Sequence, residues 1–209
     1  MIKVLLVDDH IMFRQGLKQI LNDISNIEVV GEASEAFEAL ALAQECKHDV
    51  VVLDISMPGR DGLDILQELR REEDARVLVL SMHPEEHYAV RTIKLGAAGY
   101  LTKHRAAEEL ANAVQIVAEG RRFISPEVAE QLALDIEKGS DRTPHDKLSN
   151  REYQVFCKIA SGLPVKKIAE ELNLSVSTVS TNRARILEKM DMANNSELTY
   201  YAIKHGLVQ

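Results

Sequence analysis

The stretch from Val50 to Gly62, VVVLDISMPGRDG, constrains this chain more than any other. Three valines and a leucine run unbroken into Asp54. Four such residues in a row suit a strand buried on both faces of a parallel sheet. Pro58, Gly59 and Gly62 then allow no regular structure, so Asp54 stands where a strand ends and a loop begins. In open parallel sheets that carboxyl edge is where ligands bind. A carboxylate there is a nucleophile, a metal ligand or a satisfied loop residue, and a lone Asp does not decide among them.

The rest of the first 120 residues supplies the context. Strand-like runs at Lys3–Val7, Glu28–Ala33, Val50–Leu53, Val77–Leu80 and Gly99–Leu101 alternate with helical patterns at Ile11–Ile24, Ala36–Cys46, Leu63–Arg71, His87–Leu95 and Ala106–Glu119. That alternation predicts an α/β fold, a five-stranded, doubly wound parallel sheet covered on both faces. Asp8 and Asp9 follow the first strand, Asp54 ends the third, Ser81 the fourth and Lys103 the fifth, so all are expected at one edge of the sheet. Carboxylates held close raise one another's proton affinity unless a cation sits among them. Oxygen ligands of this kind favour Mg²⁺, which keeps waters and leaves a place for phosphate. A lysine and a hydroxyl would neutralise and hydrogen-bond a phosphoryl group, and aspartate is a covalent phosphoryl acceptor. His10 reads either as a ligand or as a neutral helix-start residue, the second being the ordinary case. His83 and His87, with Glu85 and Glu86, read as a solvated loop rather than a metal site, since no third ligand spacing is evident.

Residues 121–147 read as a linker with one helix. Ser125-Pro126-Glu127 starts that helix, and Val128, Leu132 and Ile136 follow at four-residue spacing. GSDRTPHDK at 139–147 has no apolar anchor and reads as flexible. Residues 148–209 predict an all-α, four-helix domain. Ser149 and Glu152 form a capping box. Val165 to Leu172 is a short helix, Asn173-Leu174 a tight turn, Ser175 the cap of a long helix Val176 to Met190, and Ser196 the cap of a last helix. Two helices joined by a tight turn, the second carrying hydroxyls and arginines, are a helix-turn-helix pattern. Charge agrees with a division of labour. The chain carries −8 overall, yet residues 1–120 hold −9, residues 121–147 −1 and residues 148–209 +2.

VDDH at 7–10, LDISMPGRDG at 53–62, Ser81 and GYLTK at 99–103 resemble the receiver domain of bacterial two-component response regulators. LSNREYQVFCKIASGLPVKKIAEELNLSVSTVSTNRARILEKM resembles the LuxR-type helix-turn-helix of the NarL/FixJ regulators. The resemblance implies phosphorylation of Asp54 by a sensor histidine kinase. It implies Mg²⁺ held by Asp9, Asp54 and the Ser56 backbone carbonyl, with Asp8 helping through water. Lys103 would meet the phosphoryl oxygens or Asp54, and Ser81 with Tyr100 would be the switch pair. It also implies double-stranded DNA as partner and a homodimer formed through the last helix, where Tyr200, Tyr201 and Ile203 leave apolar surface. The chain departs from the family at His104, where many members have Pro, at Pro164, where a capping Ser or Thr is usual, and at Ser180, where many place a lysine.

Helical geometry assigns the long helix's faces. At about 100° per residue from Val176, Val179, Ile186, Leu187 and Met190 form an apolar stripe, with Arg183 inside it at about 340°. Ser177, Thr181, Ala184 and Arg185 lie opposite, with Ser180 at the edge. These five are the expected base-reading set, with Lys166 and Lys167 on phosphates. A guanidinium facing the core needs a partner, so an Arg183–Glu152 ion pair is expected. Cys46 and Cys157 lack metal-like spacing and read as buried hydrophobes in a reduced, cytoplasmic compartment. No apolar run approaches the ~18 residues of a membrane span, and the strand-like opening leaves no signal peptide in view. Two other classes stay open at this stage: a magnesium phosphohydrolase using Asp54, and a regulator whose tail binds protein or RNA.

Overall fold

The computed structural model describes residues 1–57, 62–73, 75–82, 85–137 and 143–208. Pro58, Gly59, His83 and the start of the 139–147 stretch fall outside the described residues, as do the side chains of His87 and Ile136.

The first compact unit is Met1–Leu132. It contains β1 (Ile2–Val7), α1 (Ile11–Asn22), β2 (Ile27–Ala33), α2 (Ala36–Glu45), β3 (Val50–Asp54), α3 (Gly62–Glu73), β4 (Val77–Ser81), α4 (Glu85–Lys94), β5 (Gly99–Thr102) and α5 (Ala106–Ala118), and α6 (Pro126–Glu137) begins in it. All strand pairs are parallel, in the order β2-β1-β3-β4-β5. Successive strand residues point to opposite faces, and both faces are dry. Val4, Leu6, Val50, Val52, Leu78 and Leu80 pack against Leu17 and Leu21 of α1 and Leu110, Val114 and Val117 of α5. Leu5, Val51, Leu53 and Val79 point the other way and are equally buried. That is why β3 and β4 read as unbroken apolar runs. β1 and β3 are neighbours while β2 lies outside them, so the strand order reverses there and opens a crevice beyond their carboxyl ends.

The unit runs past the boundary expected at Gly120. Phe123 continues the sheet beyond β5: its N–H donates to the Ala98 carbonyl at 2.9 Å, and its carbonyl accepts from Tyr100 at 3.1 Å. Val128 is buried, and the Ser125 hydroxyl caps α6 by accepting the Val128 N–H at 3.3 Å.

The second unit is Ala133–Gln209. It holds α7 (Asn150–Ala160), α8 (Val165–Glu171), α9 (Val176–Met190) and α10 (Asn195–Lys204). α7 packs on α9 and α10, and α8 on α9. Asn173 takes the left-handed conformation that the α8–α9 turn requires, φ 51°. Two expectations change here. α10 is capped by Asn194, whose side chain accepts the Glu197 N–H at 3.1 Å, and not by Ser196. The described end of the linker is structured as well. Pro144–Lys147 form a 3₁₀ turn in which the Asp146 carboxylate takes the Thr143 N–H at 2.9 Å and hydroxyl at 2.7 Å. His145 then meets Tyr201 at 2.8 Å and tethers the turn to α10.

Candidate functional site

Every strand-end residue singled out in the first unit comes to the crevice edge. Asp54 ends β3, fully buried, and Asp8 follows β1 at 1% exposure. Lys103 opens a 3₁₀ turn after β5 and lays its ammonium between them, Nζ 2.6 Å from Asp54 Oδ2 and 2.7 Å from Asp8 Oδ2. The Ser56 N–H donates to Asp54 Oδ1 at 2.7 Å. Ser81 ends β4, the strand between β3 and β5, and is buried; so is Tyr100 on β5. Gly62 is needed where α3 begins, because a Cβ there would overlap the Ile55 backbone just after Asp54.

The charges do not balance. Asp54 and Asp8 share one ammonium, and Asp9 adds a third carboxylate beside them. Burial pushes the Asp54 carboxyl above its ordinary range, and neither Lys103 nor the Ser56 N–H fully offsets it, with Asp8 adding to the rise. Burial works against the Lys103 ammonium as well, but Asp54 and Asp8 outweigh it and raise its pKa. One oxygen from each of Asp8, Asp9 and Asp54, and one ring nitrogen of His10, lie within 4.8 Å of one another. Asp9 Oδ1 is enclosed and has no hydrogen-bond partner. An orphaned carboxylate oxygen in a surplus of negative charge fits a divalent cation.

Pattern reading missed two residues on the first turn of α1. The Phe13 ring lies 4.7 Å from Lys103 Nζ and offers its face to the ammonium. Arg14 donates to the Asp8 carbonyl and pairs with Glu32 at 3.3 Å. Phe13 reads as core from its helical spacing, and that spacing gives no sign of the lysine.

In the second unit Ser177, Ser180, Thr181, Ala184 and Arg185 are all exposed on α9, and Lys166 and Lys167 are exposed on α8. The Ser180 and Thr181 hydroxyls donate to the Val176 and Ser177 carbonyls at 2.9 and 3.0 Å, which leaves their lone pairs outward. Ser175 caps α9, accepting the Thr178 N–H at 3.0 Å.

Known proteins match this arrangement end to end. Residues 4–115 match the response regulator receiver domain, and residues 146–202 match the bacterial regulatory proteins of the luxR family. Response regulator GacA of Pseudomonas aeruginosa is 42% identical, with 100% of this chain and 98% of GacA covered. Response regulator UvrY of Escherichia coli is 41% identical over 99% of this chain and 96% of its own. The chain belongs to the NarL/FixJ response regulators. Members of the family are DNA-binding transcription regulators of two-component systems, not enzymes. Among solved structures, RcsB from Salmonella enterica serovar Typhimurium, bound to promoter P1flhDC in the presence of phosphomimetic BeF₃⁻, superposes with TM-score 0.63 at 25% identity, covering 96% of this chain and 97% of RcsB.

The expected Arg183–Glu152 pair of this response regulator does not form. Arg183 Nε donates instead to Asn195 Oδ1 at 2.6 Å, at the start of α10. Glu152 is taken by Lys189 Nζ at 2.6 Å and by the Ser149 N–H at 2.7 Å in the capping box. The cause is the phase of the stripe. Val176, used as its origin, is half exposed, and the residues buried on α9 are Val179, Asn182, Ile186 and Met190. Their centre lies at about 285°, so Arg183 at about 340° sits on one flank and Lys189 at about 220° on the other. Lys189's flank faces Glu152, and Arg183's faces Asn195.

Among the described residues no helix is long and apolar enough to cross a membrane. Both cysteines are free, Cys157 buried and Cys46 half-buried.

Proposed function

We propose that this regulator controls transcription through phosphorylation of Asp54 by a sensor histidine kinase. The observation that carries the reading is the Lys103 ammonium held against Asp54 and Asp8 at 2.6 and 2.7 Å, beside the buried Ser81 hydroxyl. Transfer breaks a phosphorus–nitrogen bond on the kinase histidine and forms a phosphorus–oxygen bond on Asp54. Such transfer needs mainly positioning and charge stabilisation. Lys103 supplies fixed positive charge at the accepting oxygen, and the Ser56 N–H orients the other oxygen. Mg²⁺ would be held by Asp9, Asp54 and the Ser56 carbonyl, with Asp8 helping, and would neutralise phosphoryl oxygens. The phosphoryl group adds charge and acceptor oxygens next to Ser81, and Tyr100 is the aromatic partner through which the change leaves the pocket.

DNA is the second partner. Lys166 and Lys167 meet phosphates, and Ser177, Ser180, Thr181, Ala184 and Arg185 approach base edges in the major groove. Tyr200 and Ile203, 69% and 58% exposed on α10, form the homodimer contact that pairs two half-sites. The free cysteines fit a cytoplasmic protein.

The test uses a small acyl phosphate, Mg²⁺ and a DNA carrying two half-sites. Wild type takes up label and binds the DNA more tightly afterwards. Asp54→Asn takes up none. Arg185→Ala takes up label normally and loses about 1–3 kcal/mol of DNA binding. Undiminished labelling of the Asp54 variant would remove the assignment.

A further inference from the structure

His10 stands at the N-cap of α1, yet its side chain makes no capping hydrogen bond. Its backbone N–H donates to Asp8 Oδ1 at 2.8 Å, which fixes the residue against the acidic pocket. Its ring Nδ1 lies 3.0 Å from Asp9 Oδ1 and 3.4 Å from Asp8 Oδ1. The approach to Asp9 is not aligned as a hydrogen bond, since that oxygen is enclosed and has no hydrogen-bond partner. Two donors in neighbouring positions around an octahedral ion, with bonds of about 2.1 Å, stand about 3.0 Å apart. The spacing of nitrogen and oxygen is therefore that of two ligands of one ion.

We propose that His10 Nδ1 is a further donor to the divalent ion of this pocket, and that it tilts the pocket toward first-row transition ions, with Mn²⁺ as their probe, over Mg²⁺. The proposal rests on the reading of the Asp8, Asp9 and Asp54 cluster as a cation site. Mg²⁺ is a hard ion that prefers oxygen and gives up water reluctantly. Imidazole raises affinity along the transition series without helping Mg²⁺. A carboxylate-only pocket discriminates little between Mg²⁺ and Mn²⁺, and one ring nitrogen supplies the difference.

The test uses the full chain with no phosphoryl donor present. Mn²⁺ binding is followed by electron paramagnetic resonance with Mg²⁺ as competitor, and pulsed measurements read ¹⁴N coupling to the bound Mn²⁺. His10→Asn keeps a good N-cap residue and so preserves the helix start, but it has no ring nitrogen. Wild type should show ¹⁴N coupling. His10→Asn should lose that coupling and lose more affinity for Mn²⁺, about tenfold or worse, than for Mg²⁺, with the metal-free melting temperature in place. Asp9→Asn should weaken both ions. Absence of ¹⁴N coupling in wild type overturns the proposal, and so does an equal loss of both ions in His10→Asn, which would make His10 a support for Asp9 alone. If Asp9→Asn binds both ions as wild type does, the cation-site reading fails instead.

Discussion

Asp54 and Glu152 are both buried carboxylates with a lysine 2.6 Å away, one in each unit, and their pKa values move in opposite directions. Burial raises Asp54, and its lysine is shared with Asp8. Burial works to raise Glu152 too, but Lys189, the Ser149 N–H and the Ser149 hydroxyl outweigh it and hold the carboxyl below the usual range. Glu152 also sits at a helix N-terminus, where negative charge is welcome. The difference separates a brace from a site. Where donors outnumber the needs of a buried charge, the charge locks structure. Where two buried carboxylates divide one ammonium and a third lies beside them, the fold holds a surplus of negative charge that a cation resolves.

The largest way to sharpen that contrast is a divalent ion. Mg²⁺ at about a thousandfold above its dissociation constant should stabilise the first unit by about 4 kcal/mol. Calorimetry with and without the ion should move only that unit's transition. A shift of the second unit's transition, or no shift at all, would contradict the assignment of surplus charge to the pocket.

Next in size is the exchange of the two carboxylates for neutral residues. Glu152→Ala removes charged hydrogen bonds from the capping box and should cost the second unit about 2–3 kcal/mol. The loss stays below the ~3–5 kcal/mol of a fully enclosed pair, because Lys189 is 40% exposed and can turn to water. Asp54→Asn should leave the first unit at least as stable as wild type, since it removes the charge that burial penalises. If Asp54→Asn melts lower and Glu152→Ala does not, the distinction between brace and site is wrong.

The strand-end residues were legible because a parallel sheet sends every strand's carboxyl end to the same edge. Knowing that VVVLD was a strand was enough to place Asp54 with Asp8, Ser81 and Lys103. Helix faces carry no such anchor. An apolar stripe phased from Val176, which the structure leaves half exposed, has no place for Asn182, which is polar and buried. A shift of that size sends Arg183 and Lys189 to opposite partners. His145 escaped notice for another reason: it lies in a polar stretch, and its contact with Tyr201 spans 56 residues of sequence. The local sign was present in Thr143-Pro144-His145-Asp146, which carries a cap, a proline at the first position and an acid at the third.

Acid should act on the two carboxylates with opposite sign. Glu152 is lowered from 4.5, so its contribution is fully present above that value and fades as pH falls through the folded pKa. Asp54 is raised from 3.8, so its ionised form is the penalised one, and the penalty is relieved as pH falls through the raised pKa. As pH falls from neutral to well below 4.5, the second unit should therefore lose stability relative to the first. Wild type and Glu152→Ala melted across that range check it: the variant should lose the second unit's acid sensitivity.

The smallest expected effect belongs to Arg183, and it separates the two flanks of α9. Its hydrogen bond to Asn195 is solvent-exposed, so Arg183→Ala should cost only about 1 kcal/mol. Had Arg183 been the buried partner of Glu152, the same change would cost ~3–5 kcal/mol. Asn195→Ala should match Arg183→Ala, and the double variant should fall no further than either alone, because both remove one interaction. Glu152→Ala should add to Arg183→Ala in full, since Glu152 is tied to Lys189 on the other flank. Thermal melts of the three single variants and the two double variants suffice. Additive losses from Arg183 and Asn195, or non-additive losses from Arg183 and Glu152, would return Arg183 to the core and undo the phase assigned to the helix.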